Sequence, residues 1–473
     1  MSSSGPPFLH RVRELAELER AWGSDKPELL IATGRRRAGK SFLLTRFLKN
    51  HDGFYYQATK TTSREQLRSL SEVAAARFPD AGFAYGTGFR TWDAFFSFIV
   101  ERAGNKPFFL VLDELPYLLD AVRGFGSILQ KLWDHALQDT RIKLVLSGSY
   151  ISVMRRLTEA DQPLHGRRTG RLHFTPFNYA DAADFVPQYP ATDRLQTYAI
   201  FGGLPGQLAV IDPRRSLAHN VADHMLNPSG RLADEAEHLL DAFLRDAGVH
   251  YSITRAIAHG EHRWHKITSR IGKDSASVSR PLDWLQDMEI VAKVIPVTDT
   301  PPGNPKKSLY RLADPYLAFW YRFVAPMRAT GAVDILTPGQ IWTRHVEPEL
   351  PLYMGPAFEN ICRSFAARGT HPRLPFLPNR VGEWWSDDSQ HQIDVVALGP
   401  EGQVLLGECK WGAVSEQDLK LLEHRRDLIV RELRGTRRIH LALFTGKPSA
   451  NRQMAKLMAA GEILLFTPQD LLA

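Results

Sequence analysis

Residues 34–41 carry the first side chains whose types and spacing indicate a chemistry. Two glycines separated by four residues and followed by Lys and Ser are typical of a phosphate-binding loop. Gly34 and Gly39 allow a tight loop whose amides point at phosphate oxygens. Lys40 would reach the β- and γ-phosphates of a nucleotide, and the Ser41 hydroxyl is a hard oxygen ligand for Mg²⁺. A chance Gly/Lys turn is the alternative interpretation.

A pair of consecutive acids, Asp113 and Glu114, follows the apolar run 107–112. Such a run predicts a buried parallel strand, and the acids would lie at its end. Asp113 would hold Mg²⁺ through water, and Glu114 would orient and polarise an attacking water. The acids would then form the second half of a nucleoside-triphosphatase site. A solvated loop is the alternative, which the preceding apolar run disfavours.

Two polar groups further along the chain are candidates for phosphate contact. Ser147 and Ser149 end another apolar strand, where either hydroxyl could bond the γ-phosphate or the water, although a polar turn competes equally. Arg167 and Arg168 lie in a basic cluster between glycines. This cluster suits phosphate contact within the chain or from a neighbouring subunit. A solvated charge run is an equal alternative.

A predicted hairpin near the C-terminus brings a second set of acids together. If its turn centres on Glu401, Asp394 and Glu408 lie opposite each other with Cβ atoms ~5 Å apart, and Lys410 shares their face. Two such acids can hold one divalent metal, and the lysine could activate a water or stabilise a scissile phosphate. The alternative is a buried charge pair kept by a decayed nuclease fold. Glu359, on a nearby helix, is either another metal acid or a surface residue.

The elements that must position these side chains can be predicted from hydrophobic patterns. Residues 28–33 form a buried strand entering the first loop, and residues 41–48 form a helix leaving it. Strands alternating with helices predict an α/β fold with a parallel, doubly wound sheet.

A different pattern occupies residues 247–315. Helices over 264–272 and 275–285 precede a hairpin of 290–297 and 308–312, with its tip at 300–305. Helix-turn-helix followed by a ribbon predicts a winged helix, whose second helix enters a DNA major groove. The residues that could face phosphate or bases are Ser275, Ser277 and Arg280. A protein spacer is an equal alternative.

Composition sets limits on the class of protein. The 473 residues are 44% hydrophobic and 23% charged, which is ordinary for a soluble globular protein, and no apolar run is long enough to span a membrane. Only Cys362 and Cys409 are present, and the N-terminus lacks signal-peptide features, so we expect a cytoplasmic protein. The net charge of +7 and pI of about 9.3 permit a nucleic-acid partner. The basic stretch that could track its backbone, or form a solvated face, comprises Arg425, Arg426, Arg431, Arg434, Arg437 and Arg438.

These motifs together resemble the prokaryotic archaeal-type P-loop ATPases, an AAA-like and STAND-related family. Its members join an ATPase core to a winged helix and a C-terminal PD-(D/E)xK nuclease-like domain. The segments that carry the resemblance are 34–41, 113–118, 146–149, 163–168, 202–205, 311–323, 382–385, 393–394 and 407–411. The resemblance implies an ATPase core over residues 1–200, a helical lid over 201–246, a winged helix with connecting helices over 247–325, and a restriction-endonuclease-like α/β domain over 326–473.

The resemblance also implies ATP binding at Lys40 and Ser41 and a nuclease-like set of Asp394, Glu408 and Lys410. Gln392 departs from the family pattern, because relatives often carry an acid there. Our leading hypothesis is an ATPase switch that uses ATP and Mg²⁺ and controls a DNA-directed endonuclease-like domain dependent on Mg²⁺ or Mn²⁺. The alternative is an ATP-driven scaffold or regulator that binds DNA or protein without cutting. A homo-oligomer or a partner protein is compatible with both.

Overall fold

The computed structural model describes residues 10–81, 88–241, 248–299, 307–433, 435–447 and 452–473. The chain forms two compact units, Met1–Pro176 and Phe177–Ala473, which we call the N-terminal and C-terminal units. The four-domain division stays a prediction. No helix in the described ranges is both long enough and apolar enough to cross a membrane.

The N-terminal unit is built on a five-stranded parallel sheet of order β2-β3-β4-β1-β5. Its strands are β1 Glu28–Thr33, β2 Gly53–Gln57, β3 Phe108–Asp113, β4 Ile142–Gly148 and β5 Gly170–His173. Its helices are α1 Val12–Gly23, α2 Lys40–Phe47, α3 Ser63–Arg77, α4 Trp92–Ala103, α5 Leu115–Ala121, α6 Phe125–Leu132 and α7 Ile151–Arg156. Every residue of β1, β3 and β4 is buried, as expected for apolar strands covered on both faces. The predicted parallel α/β sheet is confirmed.

The C-terminal unit begins with the helices α8 to α12. The helices α13, α14 and α15, which we call the three-helix group, follow them. These are α8 Tyr179–Ala183, α9 Ala191–Phe201, α10 Pro205–Leu208, α11 Leu217–Val221, α12 Glu235–Asp241, α13 Gly248–Ala258, α14 Trp264–Ile271 and α15 Ser275–Asp287. The predicted hairpin is present as antiparallel β6 Val291–Val294 and β7 Leu309–Leu312. Its predicted tip lies outside the described residues, as do residues 242–246 of the predicted lid.

Helices α16 to α20 lead to a second sheet. They are α16 Pro315–Phe319, α17 Ala325–Ala329, α18 Ala332–Ile335, α19 Pro338–Ile341 and α20 Leu350–Arg368. The sheet has the order β12-β11-β10-β9-β8, with antiparallel β8–β9–β10 and parallel β10–β11–β12. Its elements are β8 Arg380–Trp385, β9 Gln392–Leu398, β10 Gln403–Lys410, α21 Glu416–Ile429, β11 Arg438–Thr445, α22 Arg452–Ala459, β12 Ile463–Phe466 and α23 Pro468–Leu471. Helix α20 covers one face, and α21 covers the other.

Candidate functional site

The loop between β1 and α2 has a backbone that requires both of its glycines. A Cβ at Gly34 would lie 2.5 Å from the carbonyl oxygen of Phe174, so no side chain fits there. Gly39 has a φ of 90°, a conformation that glycine adopts without steric cost. The sequence pattern therefore reflects a close approach at one end of the loop and a left-handed turn at the other.

The Lys40 ammonium lies buried against this loop. Its Nζ donates to the carbonyl oxygens of Gly34 at 2.7 Å and Arg35 at 3.1 Å, and to Ser149 Oγ at 2.9 Å. Burial lowers the pKa of Lys40, against the opposing charges of Glu114 and Asp113. The lysine thus begins α2 as a desolvated cation surrounded by oxygen acceptors.

The ends of β2 and β3 place a second group of polar atoms beside the loop. Asp113 Oδ2 accepts hydrogen bonds from Ser41 Oγ at 2.5 Å and from Tyr55 OH at 2.6 Å. Oδ1 accepts from the backbone N–H of Glu114 at 2.9 Å. The structure thus brings Ser41 and Asp113 together, and their predicted role as Mg²⁺ ligands stays a prediction. Tyr55 was not predicted as part of this group, because only the structure shows that β2 lies beside β3.

Glu114 occupies a constrained position immediately after β3. It has a φ of 51°, and its Oε1 accepts from Ser149 Oγ at 3.1 Å. Burial raises the pKa of Glu114, opposed by the charge of Lys40. The Ser149 hydroxyl therefore connects the carboxylate to the ammonium. Of the two predicted serines the structure brings Ser149 to this group, whereas the hydroxyl of Ser147 is buried with no hydrogen-bond partner.

The structure places the two predicted arginines away from this hydrogen-bond network. Arg167 makes two parallel bonds to Asp134, with Nε–Oδ1 at 2.7 Å and Nη2–Oδ2 at 2.8 Å. This matched geometry fixes the guanidinium, and it lowers the pKa of Asp134. Arg168 is exposed and reaches Thr158 Oγ1 at 3.5 Å. A phosphate contact by either arginine stays a prediction.

The predicted hairpin register in the C-terminal unit is confirmed. β9 and β10 pair through Val395 and Gly407, and the next step of that register sets Asp394 opposite Glu408. Both acids are buried, at 8% and 3% exposure. Lys410 Nζ lies 3.0 Å from Glu408 Oε1, so the strand period brings all three side chains to one face.

The two acids of this pair have different surroundings. Lys410 and Arg425 neutralise the charge of Glu408, whereas burial raises the pKa of Asp394. Glu408 Oε2 accepts from Arg425 at 2.7 Å, while Asp394 Oδ2 accepts from the backbone N–H of Cys409 at 3.0 Å. Burial, followed by the charges of Glu359 and Glu408, raises the pKa of Asp394 to about 7.

Glu359 belongs to this cluster rather than to the surface of its helix. Burial raises its pKa, and the charges of Glu383 and Glu408 act in the same direction. Arg363 lies beside it, with 3.7 Å between the guanidinium and the carboxylate. We call Glu359, Glu383, Asp394 and Glu408 the acidic cluster. Glu383 was not identified from the sequence as a member, because a single acid on an edge strand gives no spacing signal.

The donor atoms of the cluster are chemically suited to a hard divalent cation. Asp394 and Glu408 lie at facing positions of neighbouring strands and carry carboxylate oxygens, which such cations prefer. In the described ranges no group of three or more His, Cys, Asp or Glu residues is arranged to hold a metal ion. A cation bound by Asp394 and Glu408 would compete with Lys410 and Arg425 for Glu408.

Two known protein families match parts of this chain. Residues 8–211 match the family described as "ATPase domain predominantly from Archaea". Residues 320–422 match a family described as "Archaea bacterial proteins of unknown function". The N-terminal part of the chain is therefore similar to an archaeal-type ATPase domain, and residues 320–422 are similar to a second family whose function is unknown.

Individual proteins are also similar to this chain over different lengths. An uncharacterized protein of Methanocaldococcus jannaschii is 24% identical over 416 residues, covering 87% of this chain and 89% of the relative. An uncharacterized ATP-binding protein of the same organism is 49% identical over 43 residues, covering 9% of this chain and 73% of that protein. The solved Walker-type ATPase of Pyrococcus abyssi is similar in fold, with a TM-score of 0.50 and 22% identity over 67% of this chain and 96% of that one.

Proposed function

We propose that the N-terminal unit binds ATP with Mg²⁺ and hydrolyses it. The observation that supports this most directly is the hydrogen-bonded set Lys40–Ser149–Glu114 beside Ser41–Asp113. It holds a cation for phosphate, two oxygen ligands for a hard metal and a buried acid for water in one place.

Each side chain has a role in this proposal that follows from its contacts. Lys40 now donates to neutral oxygens, and the anionic oxygens of a phosphate are stronger acceptors. Ser41 and Asp113 would hold Mg²⁺, which supplies positive charge against the phosphates. Glu114 would accept a proton from the attacking water, and its raised pKa suits a general base. Ser149 would orient Glu114.

Measurement of nucleotide affinity tests this proposal. Lys40→Ala should weaken binding of a fluorescent ATP analogue by at least tenfold, since the phosphates lose their buried cation. Lys49→Ala is the matched control, because Lys49 follows the same helix but is exposed, and it should bind like the wild type. Equal affinity in Lys40→Ala and the wild type would refute a nucleotide site at this loop.

For the C-terminal unit we propose a nuclease-like domain that cuts DNA with the help of Mg²⁺ or Mn²⁺. The supporting observation is the opposed, buried pair of Asp394 and Glu408 with Lys410 on the same face. Asp394 and Glu408 would hold the cation, which would supply charge at the scissile phosphate. Lys410 would orient a water or stabilise the developing negative charge.

DNA contact is proposed for the three-helix group with its hairpin, in the manner of a winged helix. Helix α15 presents exposed Ser275, Ser277 and Arg280. Asp274 caps the start of this helix by accepting from the Ser277 N–H at 2.9 Å. Among these three exposed residues Arg280 carries the positive charge that could contact a phosphate.

A plasmid assay separates the cutting enzyme from the non-cutting regulator. We expect supercoiled DNA to be nicked in Mn²⁺ by the wild type and not by Lys410→Ala, with ATP changing the rate. Lys420→Ala, which removes an exposed lysine of α21, controls for general loss of positive charge. If Lys410→Ala nicks as fast as the wild type, the cleavage comes from elsewhere. DNA binding without nicking by the wild type would favour the regulator.

A further inference from the structure

The hairpin β6–β7 is attached to the edge of the C-terminal sheet. Strand β8 is the last strand of that sheet, and the Val297 N–H donates to Glu383 O at 2.8 Å along its outer side. Val297 is 2% exposed and belongs to the same core as Trp384. Arg380 Nη2 donates to Asp299 O at 2.5 Å. These contacts fix the segment that follows β6 against β8, and β7 is paired with β6.

Arg311, on β7, pairs with a buried acid of that cluster. Its Nη1 lies 2.8 Å from Glu383 Oε1, and its Nη2 donates to Oε2 at 3.0 Å. The Glu383 side chain is 3% exposed. A buried carboxylate bound through both oxygens has a fixed orientation, since the two parallel bonds match the planar guanidinium.

The amide of Gln392 connects this ion pair to Asp394. Its Nε2 lies 3.4 Å from Glu383 Oε2 and 3.4 Å from Asp394 Oδ1. An ionised carboxylate only accepts hydrogen bonds, so the amide nitrogen rather than the oxygen must face Glu383. The result is a continuous path of hydrogen bonds from Arg311 through Glu383 and Gln392 to Asp394.

We propose that Arg311, contributed by the hairpin, is a positioning residue of the C-terminal acidic cluster that orients Asp394 through Glu383 and Gln392. This inference deepens the nuclease-like function proposed above and rests on it for its purpose. Without two parallel bonds from Arg311, Glu383 lacks a full set of donors and draws the Gln392 amide toward itself. Asp394 then loses its side-chain donor and its fixed direction. The cluster is therefore complete only when the hairpin is in place.

The test uses the full chain without nucleotide and two variants that keep the net charge of the ion pair. Arg311→Lys keeps the charge but cannot form the two parallel bonds, and Arg311→Met with Glu383→Gln removes both charges together. Bound Mn²⁺ is counted by electron paramagnetic resonance, with Asp394→Asn defining ions held elsewhere. The side-chain amide signal of Gln392 is followed by NMR in protein labelled with ¹⁵N-glutamine, and it is assigned by its loss in Gln392→Ala.

We expect both variants to weaken Mn²⁺ binding at least tenfold, as is usual for residues that orient metal ligands, and to shift the Gln392 signal. Arg214→Lys, at the exposed two-bond pair with Asp212, should change neither quantity. Unchanged Mn²⁺ affinity in both variants would overturn the positioning role while leaving the metal site intact. An unmoved Gln392 signal would overturn the route through that residue.

The same experiment distinguishes failure of the positioning role from absence of the proposed metal site. If the wild type binds no more Mn²⁺ than Asp394→Asn, the metal-dependent function is refuted. The Gln392 signal then decides the inference alone. A shift in Arg311→Lys supports the positioning role, and an unmoved signal overturns it.

Discussion

A single hydroxyl connects the two charged groups on which the N-terminal site depends. Ser149 Oγ accepts from Lys40 and donates to Glu114, at 2.9 and 3.1 Å. Both charged groups are desolvated, so burial lowers the pKa of the lysine and raises that of the acid. Their mutual attraction opposes both shifts. A ligand that binds Lys40 will therefore also change the environment of Glu114.

The first prediction concerns Glu114. Glu114→Gln should keep ATP affinity within about twofold but reduce turnover by about 100-fold or more, because the amide cannot accept a proton from water. Binding and phosphate release are measured on the same preparation. Glu101→Gln, an exposed acid of the same unit, serves as the control and should leave turnover unchanged. Wild-type turnover in Glu114→Gln would remove Glu114 from the role of base.

The second prediction concerns the pH dependence that Asp394 gives to stability. Its pKa is about 7 in the folded chain, above the ordinary value of 3.8. Between these values the folded state holds a proton that the unfolded state releases, so the unfolding free energy falls as the pH rises. The limiting slope for one group is about 1.4 kcal/mol per pH unit.

Asp394→Asn should abolish this loss of stability between about pH 4 and 7. Urea unfolding in EDTA, repeated across that range, measures it, and Asp283→Asn, on an exposed helix position, is the control. Added Mn²⁺ at pH 7 should stabilise the wild type and not Asp394→Asn, since the cation relieves carboxylate repulsion. The same pH profile in Asp394→Asn and the wild type would show that the Asp394 pKa is not raised.

At the scale of elements, the β1–α2 loop depends on its approach to Phe174. The Phe174 N–H donates to Thr33 O at 2.7 Å, so its backbone is fixed at the end of β1. Its carbonyl therefore cannot move away to make room for a side chain at Gly34. The geometry of the loop is in this way set by β1 and by the segment that follows β5.

The third prediction tests that close approach. Gly34→Ala should lower ATP affinity at least tenfold and lower the Tm by several degrees, because its Cβ would lie 2.5 Å from a backbone oxygen. Gly23→Ala is the matched control, since a Cβ there meets nothing within 4 Å. Affinity and Tm are measured by titration and calorimetry. An unaltered affinity in Gly34→Ala would mean that the loop is not held against Phe174.

At the scale of the whole molecule, the two predicted arginines differ in their freedom to act on a neighbouring subunit. Arg167 is fixed by two bonds to Asp134. Arg168 is exposed and makes one long bond to a hydroxyl. If hydrolysis uses a cation from a second copy of the chain, Arg168 is therefore the better candidate.

The fourth prediction follows for mixtures of variants. Arg168→Ala and Lys40→Ala should each have low ATPase activity alone, and mixing them should restore part of it, because each chain supplies what the other lacks. The specific activity of the wild type should rise with protein concentration. Arg171→Ala, another exposed arginine, should need no rescue. Absence of rescue at every ratio, with activity independent of concentration, would exclude a role between subunits.

The features that could be predicted from the sequence alone depend on residues close together in the chain. The loop 34–41 and the acids after β3 follow from patterns a few residues long, and continuous apolar runs predicted the buried parallel strands. The opposition of Asp394 and Glu408 was also predictable, because a strand alternates with a period of two and the turn fixes the register.

Only the tertiary structure decided which distant groups meet. It selected Ser149 rather than Ser147, added Tyr55 to Asp113, and paired Arg167 with Asp134. It also brought Arg311 to Glu383, 72 residues along the chain. These partners come from separate elements, and their meeting depends on how strands are ordered and how helices pack. Spacing along a single chain carries no information about such contacts, since the order of strands in space differs from their order in sequence.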